Sequence, residues 1–196
     1  MQTNQLHNLV RLLRREQHVC PWWLAYTFDN PLRGLLHQPA QILDGLVGQG
    51  DTVIDMGCGI GFFSLGLARI VGATGHVLAI DRQQRMLTIL RQRARHASLE
   101  TRISPICCSA EHLPVTRQVD MVLVFWMAHE VPNQHDMFAA LATLLKSGGK
   151  LLLAEPNMHV SRDQYQHIFQ QAHTTGLQPI PGPAIGFSRS ALFLKP

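Results

Sequence analysis

Three glycines at alternate positions mark the place where this chain is best suited to bind a ligand. Gly57, Gly59 and Gly61 follow an apolar run that begins at residue 52. Glycine adopts backbone angles that other residues avoid, and it lets the main chain approach a ligand where a Cβ would collide. Asp81 ends the next apolar run, 20 residues after Gly61. An acid there can accept both ribose hydroxyls of a nucleoside, so the spacing predicts a nucleotide-type cofactor.

A second group of chemical side chains follows the apolar run 119–125 and comprises Trp126, Met127, His129 and Glu130. Ligands of open α/β sheets bind at the carboxyl ends of the strands, so we expect this segment near the cofactor. A neutral imidazole at His129 can take a proton from a hydroxyl or a thiol, and Glu130 is a second candidate base. The alternatives are a hydrogen-bonding loop histidine and a first-turn acid that the helix dipole stabilises.

These groups need a scaffold of alternating strands and helices. The predicted strands are 52–56, 76–80, 102–106, 119–125 and 149–154. The predicted helices between and after them are 61–71, 82–97, 134–146 and 161–174. This alternation implies right-handed crossovers and a parallel sheet. Two last apolar runs, 176–180 and 190–194, are expected to form a hairpin that adds an antiparallel edge.

The first 48 residues have a different pattern, which predicts an N-terminal helical cap. Residues 4–18 read as an amphipathic helix, Pro21 opens a second helix, and Pro39 starts a third that ends at Gly48. The second helix concentrates the aromatic residues Trp22, Trp23, Tyr26 and Phe28. Tyr26 is a catalytic candidate as the polar tip of this group. The alternative is that these rings pack the cap onto the sheet.

The glycine turn and its companions resemble the class I S-adenosylmethionine-dependent methyltransferases, in particular the type 11-like members, over residues 45–195. Residues 55–61 are similar to the family's first motif, in which Asp55 can hold loop amides or a ligand ammonium. Asp81 is similar to the family's ribose-binding acid. Residues 109–114 look like the segment beside the adenine.

The resemblance implies a Rossmann-like, doubly wound α/β fold with a mostly parallel, seven-stranded sheet. It implies one methyltransferase domain over 1–196, divided into a helical cap, 1–48, and a core, 49–196. S-adenosylmethionine is the implied cofactor, and no metal is expected. The cofactor-binding residues that follow are Asp55, Gly57, Cys58, Gly59, Gly61, Asp81, Arg82, Met86, Ser109, Ala110, Glu111, Trp126 and Met127.

One residue departs from the family's pattern. Ser109 stands where the family often has an aspartate that accepts from the adenine amino group. A serine hydroxyl still accepts, but an uncharged hydrogen bond contributes ~1 kcal/mol against ~2 for a charge-assisted one. The substitution therefore predicts weaker cofactor binding rather than a different cofactor.

An NAD-dependent oxidoreductase is the main competing enzyme class. Its glycine motif needs a third glycine at position 64, which is Ser64 here. Arg82 would suit a 2′-phosphate, but Asp81 would repel it. Two non-enzyme alternatives stay open. One is a cofactor-binding partner subunit without turnover. The other is an RNA-associated protein recruited by the arginines of helix 82–97. The simplest interpretation of these arginines is that they form a solvated helix face.

Composition is typical of a globular chain. The 196 residues are 46% hydrophobic and 15% charged, with a formal net charge of +4, which permits an anionic partner without requiring nucleic acid. No apolar run reaches the ~18 residues that span a bilayer, and no signal peptide is visible, so we expect a cytoplasmic protein. The expected partner is a small apolar or aromatic methyl acceptor.

The four cysteines form no CxxC pair and predict reduced thiols. Cys107 and Cys108 are adjacent at a predicted strand end. A vicinal pair can bind a soft trivalent metalloid, but neighbouring strand residues point to opposite faces. We therefore expect both to be buried small hydrophobic residues.

Overall fold

The computed structural model describes residues 37–110 and 112–196. Its strands are β1 (Thr52–Met56), β2 (His76–Asp81), β3 (Ile103–Cys107), β4 (Val119–Phe125), β5 (Leu145–Pro156), β6 (Gln178–Ile180) and β7 (Ser188–Leu194). Its α-helices are α1 (Pro39–Ile42), α2 (Phe62–Ile70), α3 (Gln84–His96), α4 (Gln134–Leu144) and α5 (Arg162–His173). The two predicted helices before residue 37, with Tyr26 and the other cap aromatics, lie outside the described residues, as does Glu111.

Within the described residues, seven strands form one sheet in the order β3-β2-β1-β4-β5-β7-β6. The first five are parallel, with Ile54 of β1 opposite Leu78 of β2 and Val122 of β4. Strand β7 is antiparallel to both of its neighbours, β5 and β6. The predicted parallel sheet with a C-terminal antiparallel hairpin is therefore confirmed.

Helices cover both faces of this sheet, as the doubly wound prediction requires. Val53 of β1 packs into one core with residues of α2 and α3, including Leu67 and Leu87. Its neighbour Ile54 points into the other core, with Phe138 of α4. Because strands buried on both faces have no solvent side, β1 and β4 read as nearly continuous apolar runs.

The strand order reverses between β1 and β4, and this switch point positions the chemical groups. The chain leaves β1 toward β2 on one side and enters β4 on the other. A crevice therefore opens beyond the carboxyl ends of β1 and β4. The glycine turn follows β1 directly, and residues 126–130 follow β4, so both predicted groups border the same crevice.

The third predicted cap helix is shorter than the sequence pattern indicates. Helix α1 ends at Ile42, and turns continue to Leu46. The prediction that the helix reaches Gly48 was wrong because Gly45 adopts φ +67°, which no helix continues through.

An aspartate joins three strands at the opposite, amino-terminal edge of the sheet. Asp120 of β4 accepts the Thr52 N–H of β1 at 2.9 Å and the Lys146 ammonium of β5 at 2.5 Å. Partial burial opposes ionisation of Asp120. The hydrogen bonds from Lys146 and Thr52, together with the Lys146 charge, outweigh that effect and lower the pKa of the carboxyl.

Replacing this carboxylate tests its contribution to stability. We expect Asp120→Asn to lower the free energy of unfolding by about 1 kcal/mol near neutral pH, because the ion pair is partly exposed and screened. The folded pKa lies below that of the unfolded chain. The stabilisation is thus fully present above the unfolded pKa and is lost as pH falls through the folded pKa. In urea unfolding, the difference in free energy of unfolding between wild type and Asp120→Asn should shrink below about pH 4. A difference that does not change with pH would contradict this account.

Candidate functional site

The glycine turn is fastened to the end of the neighbouring strand. The N–H groups of Gly57 and Cys58 both donate to the carbonyl of Ile80, each at 2.9 Å. Gly57, Gly59 and Gly61 have φ values of +73°, +53° and +88°. These left-handed angles explain why the turn is built from glycine.

Each of the three glycines faces a different environment. A Cβ on Gly57 would lie 2.6 Å from Cγ of Met127, and one on Gly61 would lie 2.2 Å from Cδ1 of Leu90. A Cβ on Gly59 would meet no atom of residues 37–110 or 112–196 within 4 Å. Gly57 and Gly61 are therefore required by packing, whereas Gly59 opens onto space in which a ligand can approach bare backbone.

Asp81 stands beside this open space, with both carboxylate oxygens fixed by backbone amides. One oxygen accepts the Gly59 N–H at 2.9 Å, and the other accepts the Gln83 N–H at 2.8 Å. The residue is 8% exposed, and this burial raises the pKa of its carboxyl despite the two donors. A carboxylate has about four acceptor positions, so Asp81 retains capacity for two further hydroxyl donors. This chemistry fits the ribose of a nucleoside cofactor.

Asp55 has a structural partner that sequence reasoning missed. The Ser64 hydroxyl, in the first turn of α2, donates to its carboxylate at 2.5 Å, and both side chains are buried. Ser64 occupies the position of the third glycine in a dinucleotide motif. The serine that argues against that motif therefore also binds the aspartate at the start of the turn. Its signal was present in the sequence as a polar residue on a buried helix face.

The other residues of the predicted cofactor site differ in exposure. Cys58 is buried, and burial, followed by the charges of Asp55 and Asp81, raises the pKa of its thiol well above the ordinary value. It is therefore a neutral space-filling group. Met86 is buried in α3, whereas Arg82 is exposed.

The segment after β3 begins beside Asp81. The Cys108 N–H donates to the Asp81 carbonyl at 3.2 Å, and Ser109 and Ala110 follow directly. Ser109 is exposed, and Ala110 is half-buried against the core beneath α4 and α5. This placement puts the segment next to the predicted ribose acid.

The expectation that both vicinal cysteines are buried was wrong for Cys107. Strand β3 is an edge strand, and Cys107 at its end is exposed, whereas Cys108 is half-buried. Burial, followed by Cys107 and Asp81, raises the pKa of the Cys108 thiol to about 11. Among the described residues, no group of three or more His, Cys, Asp or Glu side chains is placed to hold a metal ion.

Arginines of α3 are also less solvated than predicted. The Arg93 guanidinium donates to the Ile60 carbonyl of the glycine turn at 2.9 Å, and Arg91 donates to the Pro105 carbonyl at 3.3 Å. Both side chains are half-buried. Arg93 therefore stabilises the glycine turn, because it donates to a loop carbonyl that helix and strand hydrogen bonds do not reach.

Beyond β4 the chain bends sharply at Trp126. This residue adopts φ +58°, an unusual conformation for a bulky side chain that costs of order 1–3 kcal/mol. Its N–H donates to the Ala154 carbonyl of β5 at 2.8 Å, so strand pairing offsets part of the strain. The bend brings the next residue, Met127, against Gly57. Trp126 and Met127 thus border the crevice from the β4 side.

The loop that leads into β7 is held at three points, residues 186–188. The His37 ring nitrogen Nε2 lies 2.9 Å from the carbonyl oxygen of Gly186. The Asn157 N–H donates to the carbonyl of Phe187 at 2.9 Å. The Trp126 indole N–H donates to the hydroxyl of Ser188 at 2.8 Å. Phe187 itself has φ +56° and a 57% exposed side chain.

His129 lies in a short 3-10 helix, Ala128–Glu130, where Glu155 holds its ring. Its Nδ1 contacts one oxygen of the Glu155 carboxylate, whose other oxygen accepts the Ala128 N–H at 2.9 Å. Glu155 is 0% exposed, while the His129 side chain is partly exposed. Burial opposes protonation of His129, but Glu155, with help from Glu130, outweighs it and raises the imidazole pKa.

Glu155 and His159 are the residues near His129 that sequence reasoning missed. His159 Nε2 lies 3.3 Å from His129 Nε2. The available signal was Glu155 itself, a carboxylate that follows directly after the apolar run 149–154. Such a residue reaches the carboxyl edge of the sheet, where chemistry is expected.

Comparison with known proteins agrees with this geometry. The family profile of a methyltransferase domain matches residues 48–179. A ubiquinone/menaquinone biosynthesis C-methyltransferase, UbiE, of Haemophilus ducreyi is 33% identical over 110 residues, which cover 56% of this chain and 42% of that protein. Methyltransferase GfsG of Streptomyces halstedii is 33% identical over 157 residues, covering 78% of this chain and 55% of that protein. The chain thus spans about half the length of these curated relatives.

Solved structures share the fold. A SAM dependent methyltransferase from Aquifex aeolicus superposes with a TM-score of 0.81 and 18% sequence identity, covering 91% of this chain and all of that chain. An O-methyltransferase described as SAM-dependent, from Thermotoga maritima, gives 0.66 at 19% identity, over 81% of this chain and 64% of that chain. At these identities the likeness concerns the fold. Among the described residues, no helix is both long enough and apolar enough to cross a membrane.

The Asp55–Ser64 hydrogen bond makes the glycine turn sensitive to a single hydroxyl. We expect Ser64→Ala to lower the free energy of unfolding by about 1.5–3 kcal/mol, because a buried bond to a carboxylate is lost. Thr143→Ala is the matched control, since it removes an exposed helix hydroxyl bonded to a backbone carbonyl at 2.7 Å. That change should stay within about 0.5 kcal/mol. Urea unfolding measures both, and equal losses would refute the assignment.

Proposed function

The chain belongs to the methyltransferase domain family and has the class I S-adenosylmethionine-dependent fold, and from this premise we propose that it transfers a methyl group from S-adenosylmethionine to a small apolar or aromatic acceptor. The observation that supports the proposal best is Asp81. Its two oxygens are fixed by the amides of Gly59 and Gln83, and it stands beside the open face of Gly59. This is the arrangement that a ribose with two adjacent hydroxyls needs.

Each predicted cofactor residue then has a role in the proposed complex. Asp81 accepts the ribose hydroxyls, and the open backbone at Gly59 lies against the cofactor. Ser109, Ala110 and Glu111 flank the adenine. Trp126 and Met127 border the methionine portion. The remaining cofactor residues that we propose are Asp55, Gly57, Cys58 and Gly61, which shape the turn, and Arg82 and Met86, which follow Asp81.

The chemistry requires alignment more than protein-borne reactivity. S-adenosylmethionine, when bound, supplies an electrophilic methyl group on a sulfonium. The task of the chain is to hold the acceptor in line with that group and to exclude water. The strained bend at Trp126 and the fixed loop 186–188 provide rigid walls on the acceptor side. Tyr26 and Glu130 remain proposed catalytic residues.

An aromatic acceptor suits the surface around this part of the crevice. Phe187 and Met158 are exposed at 57% and 85%, and their loops are joined by the hydrogen bond between Asn157 and Phe187. The relative UbiE of Haemophilus ducreyi is named for ubiquinone and menaquinone biosynthesis, which points in the same direction. Exposed apolar side chains at a site rim favour contact with an apolar partner.

Binding of S-adenosylhomocysteine tests the cofactor assignment. We expect micromolar affinity for the wild-type chain and a loss of about 2 kcal/mol, roughly 30-fold, in Asp81→Ala, because two hydroxyl acceptors disappear. Asp120→Ala, at the opposite edge of the sheet, is the control and should bind normally. Isothermal titration calorimetry measures all three. Clear binding of NADH without S-adenosylhomocysteine binding would reverse the assignment.

The open face of Gly59 allows a second test with a matched control. Gly59→Ala and Gly148→Ala both place a Cβ in open space at a positive φ, so each should cost about 1 kcal/mol of stability. Gly148 lies near the amino end of β5, far along the strand from the crevice. Cofactor binding should fall at least about tenfold in Gly59→Ala alone. If both variants bind S-adenosylhomocysteine equally, Gly59 does not face the cofactor.

A further inference from the structure

Three side chains form a continuous line from the buried end of β5 to the surface. Glu155 is fully buried and contacts Nδ1 of His129, and Nε2 of His129 lies 3.3 Å from Nε2 of His159. The two rings meet nearly edge to face, with centroids 5.0 Å apart and planes at 70°. His159 is exposed in the loop after β5.

Hydrogen counting gives this line two complete protonation states. Two ring nitrogens at hydrogen-bond distance share one hydrogen between them. When both rings are neutral, His129 donates from Nδ1 to Glu155, and His159 donates from Nε2 to His129. When one proton is added, His129 carries hydrogens on both nitrogens and donates to Glu155 and to His159. Neither state leaves a donor or acceptor between these three side chains unsatisfied.

We propose that His129 and His159, held by Glu155, act as a two-histidine acceptor for the proton that the methyl acceptor releases. The proposal rests on the proposed methyl transfer and deepens it by naming a substrate class. A base is needed when the nucleophile is a weak acid, so the methyl acceptor in this proposal carries a phenolic or enolic hydroxyl. Glu155 is a positioning residue in this scheme because it acts through His129.

The proton transfer balances without any further reagent. The acceptor O–H proton passes to Nδ1 of His159, and the hydrogen on Nε2 of His159 passes to Nε2 of His129. The acceptor oxygen keeps the electron pair of its O–H bond. That pair forms the bond to the methyl carbon as the methyl–sulfur bond breaks, and the sulfur keeps the electrons of the broken bond. The imidazolium of His129 then returns its proton through exposed His159 to water.

The surroundings of the pair favour the added proton. Glu155 from β5 and Glu130 from the 3-10 helix place negative charge near His129. Tyr165 of α5 stays neutral, because burial and then the Glu155 charge raise its pKa to about 12. Arg189 of β7 brings a positive charge near Tyr165, and its guanidinium donates to the Val160 carbonyl at 2.7 Å.

Position also links the pair to the proposed reaction. Met127, two residues before His129, contacts the glycine turn, and Ala154, directly before Glu155, accepts the Trp126 N–H. Met158, the neighbour of His159, is 85% exposed and offers an apolar contact for an aromatic ring. The relay therefore borders the crevice from the β4 and β5 side.

Nitrogen-15 NMR of the histidine rings tests the relay without any acceptor. In the wild type we expect the His129 ring to carry its hydrogen on Nδ1, with a hydrogen bond between its Nε2 and His159. Glu155→Gln should lower the His129 pKa, because the Glu155 carboxylate holds it above its ordinary value. His159→Gln, an exposed change, should move the His129 Nε2 resonance even if Glu155→Gln does not fold. No response of the His129 resonances to either variant would overturn the relay.

A chromogenic phenol tests the substrate class. The protein is saturated with S-adenosylhomocysteine and mixed with the weaker chromogenic phenol 4-hydroxyacetophenone. The pH is set one unit below the phenol's pKa and above the pKa that NMR gives for His129, and phenolate absorbance is recorded. We expect the wild type to raise the phenolate concentration at least threefold over that in protein-free buffer. His135→Gln, which changes an exposed histidine beside Asp136, is the control and should do the same. The excess should disappear in His159→Gln and in His129→Gln. If S-adenosylhomocysteine binds but no extra phenolate forms, the relay is contradicted and the proposed function is not. If S-adenosylhomocysteine does not bind, the proposed function itself is contradicted.

Discussion

Strand β1 pairs in parallel with β2 on one side and with β4 on the other, and this pairing brings the chemical groups of the chain together. It places the glycine turn beside Ile80 and Asp81, so that one carbonyl and one carboxylate hold three consecutive amides, from residue 57 to residue 59. It also places the end of β4 close enough for Met127 to fill the space over Gly57. The crevice is therefore a consequence of sheet order rather than of any single loop.

The pairing also divides the site into two parts with different demands. On the β1 and β2 side, backbone amides and one carboxylate define the surface, and packing excludes side chains at Gly57 and Gly61. On the β4, β5 and β7 side, imidazoles, carboxylates and an indole define it, and their contacts cross between elements. The first part suits a cofactor of fixed shape, and the second suits selection of an acceptor. Both parts are held by hydrogen bonds that reach the ends of buried strands.

Sequence reasoning was strong where burial imposes a pattern. Strand β4 begins and ends at the predicted residues, because a strand covered on both faces is a nearly continuous apolar run, here interrupted at Asp120. It was weak where the outcome depends on which elements become neighbours. The exposure of Cys107 follows from β3 lying at the sheet edge, and the His129–Glu155 contact follows from the register of β4 against β5. The early end of α1 at Ile42, followed by Gly45 at a positive φ, and the bend at Trp126 depend on backbone angles that residue type does not determine.

The three hydrogen bonds on residues 186–188 have a thermodynamic consequence for ligand selection. They come from His37, Trp126 and Asn157, so every partner that holds this loop belongs to the folded chain itself. The entropy of ordering this loop is therefore lost during folding and is not charged against binding. Under the proposed function, a rigid aromatic acceptor that fits this wall would keep most of its contact energy as affinity. A flexible one would lose part of that energy to its own ordering, so the loop would select by stiffness as well as by shape.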